Sequence, residues 1–316
     1  MKRLYTLFIL FITLTATAQT KDTLLLADPT IFYDNGQYYL YGTGSNRGFT
    51  VYQSSDLEHW SGPVGKKEGH ALLRGDSYGR RGFWAPQIFK HNNKYYMAYT
   101  ADEHIAIAES DSPLGPFTQK VAKEISGPGK QIDPYIFKDT DGQLYLYHVR
   151  LQQGNRIFVA KLKSDLSDID TTTTKECINA SLPWENTAKS GWPVSEGPTV
   201  VKHEGLYYLL YSCNDFRNID YAVGYATSTS PMGPWTKYTG SPILSRAITN
   251  MNGTGHGDLF TGKGGQLYYV LHTHHDNNTP NGKRKTGLVK VAFTKTKPAA
   301  IVVDKSSFKF LLTDKK

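Results

Sequence analysis

The stretch DPTIFYDNGQYYLYGT, residues 28–43, carries an acid–proline opening, a short hydrophobic strand, an Asn-Gly turn and a tyrosine-rich second strand. The same order returns in WAPQIFKHNNKYYMAYT (84–100), DPYIFKDTDGQLYLYHV (133–149), EGPTVVKHEGLYYLLYS (196–212) and HGDLFTGKGGQLYYVLHTH (256–274). Alternating β-branched and aromatic residues around Gly/Asn/Asp turns predict β-hairpins. Each hairpin is followed by more strand-like sequence, as in GFTVYQSSDLEHWSG at 48–62 and YAVGYATSTSPMGPWTKY at 221–238. Four strands repeated five times predict an all-β fold, a five-bladed β-propeller with four antiparallel strands per blade. No blade can bury both faces without its neighbours, so the ring is expected to be one domain. Leu24 to Ala27 precede the first repeat and Ala299 to Leu312 follow the last. One of these ends is expected to complete the final blade and close the ring.

Ahead of the repeats, MKRLYTLFILFITLTATAQT joins a basic start at Lys2 and Arg3 to an apolar run and a small-residue end at Ala16 to Ala18. This is the pattern of a cleavable signal peptide over 1–18, leaving a propeller over 19–316 in the periplasm or the medium. No later stretch reaches the roughly 20 apolar residues of a membrane span. Two of the 36 basic residues and none of the 28 acidic ones lie in the leader, so its removal lowers the formal charge from +8 to +6. The bases are scattered, with KRK at 283–285 the largest group, and no nucleic-acid stripe is specified. Cys177 and Cys213 could form one disulfide or remain two buried thiols.

In a propeller the first strand of each blade is innermost, so the repeat openings converge on the axis. They read Asp28, Trp84, Asp133, Glu196 and His256. Three carboxylates brought together are costly unless function or a cation compensates. With an aromatic beside them, they suit glycosidic cleavage, which needs one protonated carboxyl for the leaving oxygen and one ionised carboxyl for water or carbon. A third can raise the acid's pKa by repulsion. Trp84 is expected to stack on a sugar face. His272 and His274 share a strand face but lack a third ligand at zinc spacing, so a hydrogen-bonding role at the pocket rim or a place in a surface loop is expected. The rival reading from another class is a non-catalytic glycan-binding propeller.

The openings DPTIF at 28–32, WAP at 84–86, IDPYIF at 132–137, SEGPTV at 195–200 and GHGDLF at 255–260 resemble, in order and spacing, those of glycoside hydrolase family 43. The resemblance spans essentially the whole chain after the leader. It implies that Asp28 is the general base, Glu196 the general acid and Asp133 the residue that orients the acid and modulates its pKa. It implies inversion at the anomeric carbon, for which a carboxyl separation of roughly 6.5–9.5 Å leaves room for water. His256 resembles a histidine facing the central channel, near a structural calcium that it would touch directly or through water. Calcium prefers oxygen ligands, so the histidine would be a minority ligand. Arg284 resembles a family arginine that enters the pocket beside the modulating Asp. No cofactor is expected in the chemistry. An oligo- or polysaccharide is the implied partner, with terminal α-L-arabinofuranosyl residues ahead of β-xylosides and β-galactosides. The sequence shows no appended carbohydrate-binding domain, which is expected to weaken a two-domain β-xylosidase reading. The segments Gly62 to Phe83, Thr171 to Val194 and Thr239 to Gly255 are expected to wall a pocket for exo action.

Overall fold

The structure, a computed structural model, describes residues 21–314. The leader assigned to 1–18 lies outside the described residues. Each of the five repeats forms the two innermost strands of a blade, joined where the turn chemistry predicts. Asn35 and Gly36 both take positive φ (50° and 79°), as do Asn92 and Asn93 (46° and 62°) and Glu204 and Gly205 (45° and 83°). Two consecutive left-handed residues make the tight turn that matches strand twist.

Blade III comprises Gln131–Lys138, Leu144–Leu151, Asn155–Leu162 and Ile169–Ile178. Blade IV comprises Ser195–His203, Leu206–Cys213, Ala222–Ser228 and Thr236–Lys237. Blade V comprises Gly255–Thr261, Leu267–His274, Arg284–Phe293 and Ile301–Phe310. These three are four-stranded antiparallel sheets. Blades I and II, opening with Ala27–Asp34 and Trp84–His91, hold three regular strands each. Their outer edges are reduced to single bridges, Gln53 with Ser61 and Glu109 with Thr118.

The C-terminal segment supplies the fourth strand of blade V, and both ends together close the ring. Lys21–Thr23 pairs antiparallel with Leu312–Asp314, and Thr313 bridges Trp60 of blade I. Among the described residues, five buried clusters fill the five seams between blades. Period-2 alternation sends each second strand into two seams. Leu209 and Tyr211 pack toward blade III while Tyr208 and Leu210 pack toward blade V. The two cysteines do not pair: both are free, and Cys213 is buried with Sγ 3.2 Å from Ser195 Oγ. No helix among the described residues is long and apolar enough to cross a membrane.

Every inner strand opens with a one-residue bulge, at Ala27/Thr30, Trp84/Gln87, Ile132/Tyr135, Glu196/Thr199 and Gly255/Gly257. The bulges carry Asp28, Ala85, Asp133, Gly197 and His256 in the left-handed region, at φ of 47°, 45°, 55°, 60° and 35°. Bulges re-aim side chains, and here they turn the strand openings toward the axis. They also correct the alignment of openings drawn from sequence. Asp28, Asp133 and His256 occupy the left-handed position, whereas Trp84 and Glu196 stand one residue before it.

Candidate active site

Asp28, Asp133, Glu196, Trp84, His256 and Arg284 line one cavity of about 520 Å³ at the mouth of the axis. All six residues singled out from sequence therefore meet in one place. Ile132, Leu151 and Val194 add apolar wall, and Trp192, Phe216 and Arg217 form part of the lining. Trp84 is 36% exposed. A ring presented to solvent at the edge of a polar cavity is available to stack on a sugar.

Asp28 is surrounded by donors. Its Oδ2 accepts from Thr43 Oγ1 at 2.7 Å, and its Oδ1 accepts from Arg284 Nη1 at 3.2 Å. His256 Nδ1 lies 3.3 Å from the same Oδ1. Burial alone would raise this carboxyl's pKa. The Arg284 guanidinium first, with the Thr43 hydroxyl, overcomes that and holds it well below the usual carboxylate range. Asp28 is thus held ionised.

Glu196 has the opposite environment. Burial pushes its carboxyl up to about 7, against the lowering effect of Tyr221 Oη on Oε1 and Asn155 Nδ2 on Oε2, both at 2.8 Å. The charge of Asp28 adds to the rise. Asp133 is buried and its pKa is also raised, by desolvation first and then by Glu196 and Asp28, while the Gly197 amide donates to its Oδ2 at 3.2 Å. Both carboxyls thus keep a proton to higher pH than an ordinary carboxyl does.

Arg284 sits beside Asp28, the assigned base, rather than beside Asp133. It comes from the start of the third strand of blade V, paired with His274. The Phe216 ring lies 4.7 Å from its guanidinium carbon, and the Phe216 carbonyl accepts from His274 Nε2 at 2.8 Å. His272 is fully buried at the floor of the site rather than at its rim, and its Nδ1 accepts from the Asp28 amide at 3.1 Å. The two histidines thus hold the base and a wall loop separately.

Among the described residues no group of three or more His, Cys, Asp or Glu stands where it could hold a metal. The narrow channel behind the site holds His256 and Asp258. Both Asp258 oxygens already accept from threonines, Oδ2 from Thr30 at 2.7 Å and Oδ1 from Thr199 at 3.1 Å. This donor set does not fit a directly ligated calcium, which takes six to eight oxygens.

The sequence profile of glycosyl hydrolases family 43 matches residues 23–297, which contain the site described above. The chain is a family 43 glycoside hydrolase. It is similar to a solved endo-1,4-β-xylanase from Bacteroides thetaiotaomicron, 40% identical over 94% of this chain and 100% of that one, with a TM-score of 0.85. A thermostable family 43 enzyme is 35% identical over 88% of this chain and 92% of that one, with a TM-score of 0.79. An extracellular endo-α-(1→5)-L-arabinanase of Bacillus subtilis is 29% identical over 77% of this chain and 76% of its own length. A β-D-galactofuranosidase of Aspergillus niger is 26% identical over 84% and 79%. As a family 43 enzyme the protein hydrolyses glycosidic bonds, a reaction of carboxyl groups and water that calls for no cofactor.

Sequence reasoning missed Thr43, Asn155, Trp192, Phe216 and Tyr221. Thr43 donates to Asp28 and Tyr221 to Glu196, and Asn155 bridges Glu196 to the wall by accepting from Trp192 Nε1 at 2.9 Å. A usable signal was present for Thr43, which stands where the second strand of its hairpin returns opposite Ala27, next to the Asp28 bulge.

Proposed function

We propose that this enzyme is an exported, inverting, exo-acting hydrolase that releases terminal α-L-arabinofuranosyl residues from plant polysaccharide or oligosaccharide. The observation that carries the mechanism is the opposite bias of Asp28 and Glu196 within one cavity. Asp28 takes a proton from water as the water oxygen bonds to the anomeric carbon. The bond to the leaving oxygen breaks as Glu196 gives that oxygen its proton. Solvent then resets both carboxyls. Asp133 orients Glu196 and keeps its proton affinity high. Arg284 keeps Asp28 ionised and faces the sugar with it.

The exo reading rests on the three aromatic side chains, Trp84, Trp192 and Phe216, that line the cavity. The furanosyl preference draws on relatives named for arabinan and galactofuranose. A β-1,4-xylan substrate is the second reading, favoured by the 40% identity to the solved xylanase. Export draws on the basic and apolar leader and on the extracellular arabinanase relative.

The test is release of 4-nitrophenol from α-L-arabinofuranoside, β-xyloside and β-galactoside substrates, with Glu196→Gln alongside. Turnover of an unactivated arabino-oligosaccharide should fall by about 10²–10⁴-fold in the variant, and that of the 4-nitrophenyl glycoside far less, because nitrophenolate leaves with little help from an acid. Proton NMR of the first-formed sugar should show the inverted anomer. Retention, or wild-type turnover of the xyloside alone, would overturn the corresponding part of this reading.

A further inference from the structure

Each left-handed bulge residue is pinned by its backbone amide, and the donors follow a rule around the ring. In four seams the amide donates to a side chain at the end of the preceding blade's second strand. Asp28 N–H donates to His272 Nδ1 (3.1 Å), Ala85 N–H to Thr43 Oγ1 (3.0 Å), Asp133 N–H to Thr100 Oγ1 (2.9 Å) and His256 N–H to Ser212 Oγ (2.9 Å). These four acceptors share one register position, opposite Gly255, Ala27, Trp84 and Glu196. The same position in blade III, opposite Ile132, is Val149. Val149 is fully buried in the seam between blades III and IV, packed in one cluster with Val200, and has no acceptor to offer. The Gly197 amide of blade IV instead donates to Asp133 Oδ2 at 3.2 Å.

We propose that Asp133, besides modulating the acid, is the positioning residue that clasps blade IV to blade III in place of the missing side chain at 149. Gly197 follows Glu196 directly and its φ of 60° sets the bulge from which Glu196 projects. Fixing the Gly197 amide therefore fixes the acid's backbone, independently of any charge on Asp133. An apolar residue at 149 also leaves that amide free for the carboxylate, so clasp and modulator are joined only in this seam. The titratable neighbours of the pair are Asp28, His256, Arg284 and Asp215, with the Tyr221 phenol on Glu196, and the Gly197 amide gives its hydrogen bond to Asp133.

This inference rests on the hydrolase reading of the site, and it is tested by rescue. Asp133→Ala removes both jobs, whereas Asp133→Ala with Val149→Thr restores only the clasp, by placing a hydroxyl where Thr43 and Thr100 stand in their blades. Regaining a buried hydrogen bond should make the double variant about tenfold more active than Asp133→Ala on an unactivated oligosaccharide. Val149→Thr alone should give no gain, because Asp133 already holds the amide. The pH at which activity falls on the alkaline side should stay where Asp133→Ala puts it, since the charge has not returned. Amide hydrogen exchange gives a readout free of turnover: Gly197 protection should be lost in Asp133→Ala and recovered in the double variant. Equal exchange and equal activity in the two Asp133→Ala proteins would overturn the clasp. A wild type silent on every glycoside would instead overturn the substrate reading while leaving the exchange result to decide the clasp.

Discussion

Asp28 and Asp133 open nearly identical segments, DPTIF and DPYIF, yet their carboxyls are driven in opposite directions. The difference lies in what the rest of the ring brings to each. Arg284 and Thr43 donate directly to Asp28, whereas Asp133 has one amide and two other carboxylates, and Arg284 lowers it least of all its neighbours. A pH profile follows. Glu196 works protonated, and its raised pKa means that kcat/KM should fall as pH rises through about 7. Asp28 works ionised, and its depressed pKa moves the acidic limb below the ordinary carboxylate value of about 4. A wild-type acidic limb near neutrality would contradict these assignments. Tyr221 donates to the ionised form of Glu196, so Tyr221→Phe should move the alkaline limb upward by roughly one pH unit. Rate measurements on wild type and variant from pH 4 to 9 decide it.

The strand openings show how far a repeat can be read as an element. Hairpins, blade number and the convergence of the acids were legible because alternation and turn chemistry are local. The one-residue offset of Trp84 and Glu196 was not, because the openings were aligned on their first conspicuous residue. The prolines at 29, 86, 134 and 198 mark the true register and place Gly197 in the same column as Asp28 and Asp133. A β-carbon on Gly197 would stand 2.6 Å from His256 Cδ2, at a φ that side chains resist. Gly197→Ala should therefore cost about 1–3 kcal/mol in denaturant unfolding and lower kcat far more than it raises KM. Loops were less legible, since they carry no period. Of the three segments expected as walls, 171–194 supplies Trp192 and Val194, while the unforeseen turn at 215–217 supplies the opposite side. The segment leading to Trp192 is tied down by Glu185, fully buried, which accepts from Tyr211 Oη at 2.7 Å, the Leu182 amide at 2.8 Å and Lys237 Nζ at 2.5 Å. Glu185→Ala leaves Lys237 without its buried partner and should cost about 3–5 kcal/mol, measured by urea unfolding.

At the scale of the molecule, the active site straddles the place where the ring is closed. Asp28 belongs to blade I and Arg284 to blade V, and the seam between these blades is sealed by the two chain ends. Leu24 N–H donates to the Leu311 carbonyl, Thr286 N–H to the Leu24 carbonyl and Leu311 N–H to the Thr286 carbonyl, at 2.9, 2.9 and 3.0 Å. Thr286 lies two residues from Arg284 on the same strand. Leu311 is 1% exposed and packs with Leu24, Leu26, Trp60 and Leu288. Leu311→Ala should thus remove about 2–4 kcal/mol and lower Tm by roughly 3–7 °C. Because the loosened seam carries the contact between Arg284 and Asp28, activity should decline at temperatures below the main melting transition, as that seam opens before the other four. Thermal melting followed in parallel with residual activity checks this, and coincident loss of both in the variant would show that the ring opens only as a whole.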